Sequence, residues 1–220
     1  MLNTRLPQNI CAALTTCLLF MGVFFATTAS ADTQQTYTGD DLTAVSEEVV
    51  TYLNDTQSFE ARFEQVNPDG SYAEGMFVLE KPGKILWRYT EPDPLKIVSG
   101  GGQIYFEDGQ TLQVTQIPRK GMIDLLTRAD IDLTKSDYRI DSAMASGGFV
   151  HVFFTLKDEE NLEGGQEITL TFIDKPLSLR QVVSTNQFGD DVTVTFYDVE
   201  ENQEIDDKLF DYTPPQYREN

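Results

Sequence analysis

Apolar and polar residues alternate along most of this chain with the period of two that marks a strand with one buried face. Phe59-Glu60-Ala61-Arg62-Phe63-Glu64 shows the pattern first. From Gly75 to Pro92 two apolar strands flank a tight Lys81-Pro82-Gly83 turn, with Ile85, Trp87 and Tyr89 alternating against Lys84 and Arg88. Leu86 breaks the alternation. β-Branched and aromatic runs follow at Leu95–Ser99, Gln103–Glu107, Thr111–Thr115 and Tyr138–Ala143. Four more lie at Phe149–Lys157, Glu167–Ile173, Leu179–Ser184 and Val192–Val199. Asp69-Gly70, Gly100-Gly101-Gly102, Asp108-Gly109, Gly147-Gly148, Gly164-Gly165 and Gly189-Asp190 punctuate them as turns. The pattern predicts a mainly β fold with a few helices (α+β): one large curled antiparallel sheet or barrel of about ten to eleven strands.

Two segments switch to the helical period. Leu42, Val45, Val49, Tyr52 and Leu53 form one apolar stripe in Asp40–Asn54. Met122, Ile123, Leu125 and Leu126 make a shorter apolar helix after Pro118, and Asp206–Leu209 is a third, weaker candidate. Residues 32–38 read as a mobile start and Asp158–Gly165 as an exposed acidic loop.

The first 31 residues differ from the rest. They hold one arginine, Arg5, and no acid, then sixteen mostly apolar residues from Cys11 to Ala26, and end in Ala29-Ser30-Ala31. That order predicts a cleavable secretory signal over residues 1–31 and a single domain over residues 32–220. Sixteen residues is short for a membrane span, which needs roughly 20. Cys11 and Cys17 both lie within the leader, and much of the apolar run follows Cys17, so neither sits where a lipid-acceptor cysteine belongs. The processed chain then has no cysteine and forms no disulfide. It keeps 15 basic residues against 36 acids, a net charge of −21. Such a balance argues against nucleic acid, whose phosphates need Lys and Arg, and against anionic membranes.

Candidate chemistry is sparse. His151 is the sole histidine, on the strand face it shares with Phe149 and Phe153 and opposite Val150, Val152 and Phe154. That placement suits a tolerated strand histidine better than a catalytic base. Asp40-Asp41, Asp190-Asp191 and Asp206-Asp207 sit in turns or at helix starts, without calcium-loop spacing. Asn54-Asp55-Thr56 matches a glycosylation triplet. No catalytic residues, metal or cofactor are expected.

Beyond these patterns the chain resembles the periplasmic outer-membrane lipoprotein carrier family (LolA-type). The likeness rests on Phe59 and Phe63-Glu64-Gln65, then Gly75, Lys81-Pro82, Trp87, and Pro92 or Pro94 after Tyr89. Ile97-Val98-Ser99, Ile104-Tyr105-Phe106 and Gln113-Val114-Thr115 continue it. Met122–Leu126 matches the family's central apolar helix, and Phe210 with Pro214-Pro215 its ending. The order and spacing of these elements, rather than any one of them, carry the resemblance.

That resemblance implies an incomplete, unclosed antiparallel barrel covered by a lid of short helices, with lipoprotein acyl chains held between. The chain itself offers such a cover in the apolar stripe of Asp40–Asn54. Phe59, Phe63, Phe77, Leu79, Trp87, Tyr89 and Ile97 would line the cavity, and Val45, Val49, Met122, Leu125, Leu126 and Lys81 would belong to the lid. Implied partners are triacylated lipoproteins, an inner-membrane ABC-type releasing complex and, where one exists, an outer-membrane acceptor, with the carrier a periplasmic monomer. The family commonly has Arg before the turn proline, bonded to lid carbonyls; here Lys81 stands there, a point donor without the planar fork. Only Gln216–Asn220 follow Pro214-Pro215, where some members add a longer hook and strand. The rival readings are the outer-membrane acceptor of the same system, which shares the fold but carries a lipidated cysteine that this chain lacks, a periplasmic carrier or sensor for another lipid, and a hydrolase built on His151.

Overall fold

A computed structural model describes residues 34–91, 94–156, 167–186 and 188–214. The leader with Cys11 and Cys17, Pro92, the acidic segment Asp158–Gly165 and the end from Pro215 lie outside the described residues. Twelve strands form one antiparallel sheet: β1 (Gln35–Tyr37), β2 (Ser58–Val66), β3 (Tyr72–Glu80), β4 (Lys84–Glu91), β5 (Leu95–Gly100), β6 (Ile104–Asp108), β7 (Val114–Ile117), β8 (Tyr138–Ser146), β9 (Phe149–Leu156), β10 (Glu167–Ile173), β11 (Ser178–Thr185) and β12 (Asp191–Glu201). Their order is β1-β8-β9-β10-β11-β12-β2-β3-β4-β5-β6-β7, so β1 and β7 are free edges and the barrel is unclosed. Helix α1 (Gly39–Asp55) and helix α2 (Gly121–Thr127) interrupt the strands, and a 3-10 turn spans Asp207–Leu209.

The alternation decides which face is buried. Phe59, Ala61 and Phe63 of β2, Phe77 and Leu79 of β3, and Ile85 and Trp87 of β4 all point to the concave side. Val150, Val152 and Phe154, then Ile168, Leu170 and Phe172, then Val194 and Phe196 continue that surface around the curl. Register shifts at Glu74/Gly75, Ile140/Ser142, Thr171/Phe172 and Tyr197/Glu200 add local twist, which bends the sheet into its trough. Helix α1 lays Val45, Val49 and Leu53 into the trough, and α2 adds Leu125 and Leu126.

Two expectations change. The strand count rises from ten or eleven to twelve because residues 35–37, expected to be mobile, pair with β8 through Gln35↔Ala145 and Tyr37↔Ala143. Three residues are too few to show a period, and the bonding partner lies over a hundred positions away. The strand expected at Thr111–Thr115 begins at Val114, because Asp108 accepts from the backbone N–H groups of Gln110 and Thr111 and draws them into a turn.

Leu86 also acquires a reason. It lies on the convex side with Val78, Val98 and Phe210, a second small core closed by the segment that follows β12. Here a strand buried on both faces lost its alternation.

Gly75 sits where two strands approach closely. A Cβ built there would stand 2.0 Å from the Arg88 carbonyl oxygen, at the β3–β4 register shift. Gly102 has nothing within 4 Å. Gly75→Ala is therefore expected to cost ~2–3 kcal/mol, as overpacked sites do, while Gly102→Ala stays near neutral. Melting curves of the two variants check this; equal losses would contradict it.

Candidate ligand-binding interior

All the residues expected in the cavity and lid meet between the concave sheet face and the two helices. Phe59, Phe63, Phe77, Leu79 and Trp87 share one buried cluster with Val45, Val49, Leu125 and Leu126, and half-buried Tyr89, Ile97 and Met122 pack against it. The aromatic rings interlock. Phe77 lies 5.1 Å from Trp87, 5.2 Å from Phe196 and 6.0 Å from Phe59 between ring centroids. Phe63 meets Trp87 edge-on at 5.6 Å, and Tyr89 stacks parallel to Trp87 at 6.1 Å. Edge-on and offset arrangements suit the ring quadrupoles. Phe196 and Phe172 belong to this lining and were not singled out from sequence, though strand parity with Val194 and Leu170 marks both.

Polar groups appear where the helices are fastened down. The Lys81 ammonium, 8% exposed, donates to the Leu53 carbonyl in the last turn of α1. That carbonyl is one of four a helix end leaves unpaired, and a cation there also suits the helix dipole. Burial pushes the Lys81 pKa down to about 8, with the Asp130 charge partly opposing the shift. Tyr52, one residue earlier, donates to Glu201 at 2.6 Å and accepts from the Leu179 N–H at 2.9 Å. Burial, chiefly, raises its pKa well above the usual phenol value, so it stays a donor. Asn54 clasps Ile131 on both edges, at 3.1 and 2.7 Å; the glycosylation triplet's side chain is thus engaged in structure.

Helix α2 has its own fastening. Arg119 donates to Thr127 Oγ1 at 2.8 Å, to the Gly83 carbonyl at 3.1 Å and to the Gly102 carbonyl at 3.1 Å. Gly83 N–H returns a bond to the Thr127 carbonyl at 2.9 Å. One guanidinium thus joins the β3–β4 turn, the loop after β5 and the end of α2. No sequence pattern announced it.

At the junction of Leu53, Phe59, Leu79, Lys81 and Leu126 a cavity of about 10 Å³ remains, space for roughly one water. Ligand pockets run to about 300–1,000 Å³, so this space alone does not hold an acyl chain.

His151 lies elsewhere, on the convex face, 2.9 Å from Thr171 Oγ1 and with its pKa lowered by burial. It lines an open groove of about 450 Å³ with Phe153, Thr169 and Gln181. Asp206 caps the 3-10 turn, and Asp40 and Asp41 occupy the first turn of α1. Among the described residues no group of three or more His, Cys, Asp or Glu is placed to hold a metal.

The family profile described as outer membrane lipoprotein carrier protein LolA matches residues 54–213. An outer-membrane lipoprotein carrier protein from Pseudoalteromonas translucida is 29% identical over 92% of this chain and 93% of its own. One from Nitrosomonas europaea is 26% identical over 76% and 83%. Among solved structures, a LolA superfamily protein from Nitrosomonas europaea superposes with a TM-score of 0.43 at 11% identity, covering 76% of this chain and 97% of that one.

Proposed function

Because the chain belongs to the outer membrane lipoprotein carrier family, we propose that its interior receives the acyl chains of triacylated lipoproteins and carries them across the periplasm, from the inner membrane to the outer membrane. The observation that supports this reading most is the continuous, mainly apolar lining of the concave sheet face beneath two helices. An acyl chain offers area and few hydrogen bonds, and aromatic and aliphatic walls match it. The protein acts as a carrier and not as an enzyme.

Energetics constrain the mechanism. Three acyl chains of roughly 15 methylenes at ~0.8 kcal/mol each carry roughly 36 kcal/mol of hydration cost. Non-covalent affinities saturate near ~20 kcal/mol, so the carrier does not extract its cargo unaided. The family resemblance supplies the missing drive: an ATP-driven inner-membrane complex of the ABC type loads the carrier, and an outer-membrane acceptor, where one exists, takes the cargo over. Lys81 fills the place of the family's arginine in holding the lid: it reaches one carbonyl of α1, where a guanidinium fork would reach two.

Native mass spectrometry of the protein purified from its own periplasm tests this. The expected spectrum shows a monomer whose chain begins at Asp32, together with a complex carrying a triacylated lipoprotein. Co-purifying phospholipid without lipoprotein would instead favour a carrier of another lipid on this fold.

A further inference from the structure

One polar atom in the interior has no partner. The indole Nε1 of Trp87 is buried, makes no hydrogen bond among the described residues, and belongs to a side chain 3% exposed. Its neighbours are rings: Phe63 and Phe77 edge-on, Tyr89 stacked on its face. Buried donors are almost always paired in native proteins, and leaving one unpaired is costly. A phenylalanine would fill much of the same space without an orphaned donor.

We propose that the Trp87 N–H reads the carbonyl of the bound acyl group, ester or amide, and so fixes how far the chain enters. This rests on the acyl-carrier reading above and adds a polar determinant to it. Position supports it. Two residues along β4, about 6.7 Å away for a strand, Tyr89 is half-buried and donates to Gln65 at 2.9 Å, where the apolar lining gives way to polar groups. The opposite end is tied to the helices through Lys81 and Arg119. A chain whose head rests at the Tyr89–Gln65 rim places its carbonyl about one pleat inside, beside Trp87. Apolar walls alone bind alkyl and acyl chains equally; one unpaired donor distinguishes them.

Trp87 is the sole tryptophan, so a ¹⁵N-labelled sample gives one indole cross-peak. The probes are 1-monomyristoylglycerol and its ether analogue 1-O-tetradecylglycerol, equal in chain and head group but differing in the carbonyl. Both are expected to bind, the ester about three- to tenfold more tightly, with a downfield indole proton shift that the ether does not produce. Trp87→Phe, with its folding checked by melting, should erase the preference, so that ester and ether bind that variant equally. Equal affinities with equal indole shifts would overturn the carbonyl role and leave the carrier reading standing. Failure of both probes to bind would overturn the acyl-carrier reading and the inference together.

Discussion

Raising the pH from 7 to 9.5 should tighten the lid of this protein and leave a Lys81→Arg variant unchanged. Burial pushes the Lys81 pKa from its ordinary 10.5 to about 8 while the lid is closed. Opening returns the ammonium to water and its pKa toward the ordinary value. Between about 8 and 10.5 the closed form therefore binds fewer protons than the open or unfolded form, and rising pH favours closure. Below about 8 the amine is protonated in both, and the desolvation cost is present in full. The shift corresponds to at most roughly 3 kcal/mol across the window. The neutral amine can still donate to the Leu53 carbonyl, so closure loses its charge penalty without losing the bond. Arginine stays charged throughout and serves as the flat reference. Binding of a hydrophobic dye to the interior, followed from pH 7 to 9.5, should fall in the wild type relative to the variant. Parallel curves would mean that the Lys81 ammonium is solvated.

Phe77→Ala should cost about 3–5 kcal/mol, the range for deleting a buried aromatic ring. Phe77 is the hub of the aromatic cluster, touching Phe59, Trp87 and Phe196. For a domain of this size that translates into a melting-temperature loss of roughly 6–20 °C. Phe153→Ala, on the half-buried convex face, should cost far less. Its neighbours are other rings, and an acyl chain bound beside them would take over part of that contact. A loss under ~1 kcal/mol would show instead that Phe77 faces empty space.

The sheet was legible because burial on one face leaves a period of two in the residues themselves. Phe59 to Phe63, Ile85 to Tyr89 and Val150 to Phe154 each stated which side chains turn inward, and α1 declared its stripe from Val45 to Leu53. Leu86 looked like a fault in that pattern because a local period cannot represent cover arriving from Phe210, more than a hundred residues later. β1 was silent for the same reason, since its three residues owe their conformation to hydrogen bonds with β8. The fastenings of the helices divide likewise. Lys81 was found through its place in a family motif. Arg119, Tyr52 with Glu201, and Asn54 with Ile131 are single polar contacts between distant segments, and such contacts have no period to read. The unpaired indole of Trp87 was hidden too, because sequence places the residue but not the partners its N–H lacks.

The central claim is that cargo acyl chains lie between the concave sheet face and the helices, and site-specific photo-crosslinking tests it most directly. A benzoylphenylalanine at position 122 replaces half-buried Met122 on α2, facing the interior cluster. The same residue at position 153 replaces Phe153 on the convex face, beside His151 and Thr169. Each carrier is loaded from inner-membrane vesicles bearing lipoproteins with radiolabelled acyl chains, then irradiated. The account predicts a labelled acyl adduct from position 122 and none from position 153. Labelling at position 153 with none at position 122 would contradict it and place the cargo on the outside of the sheet.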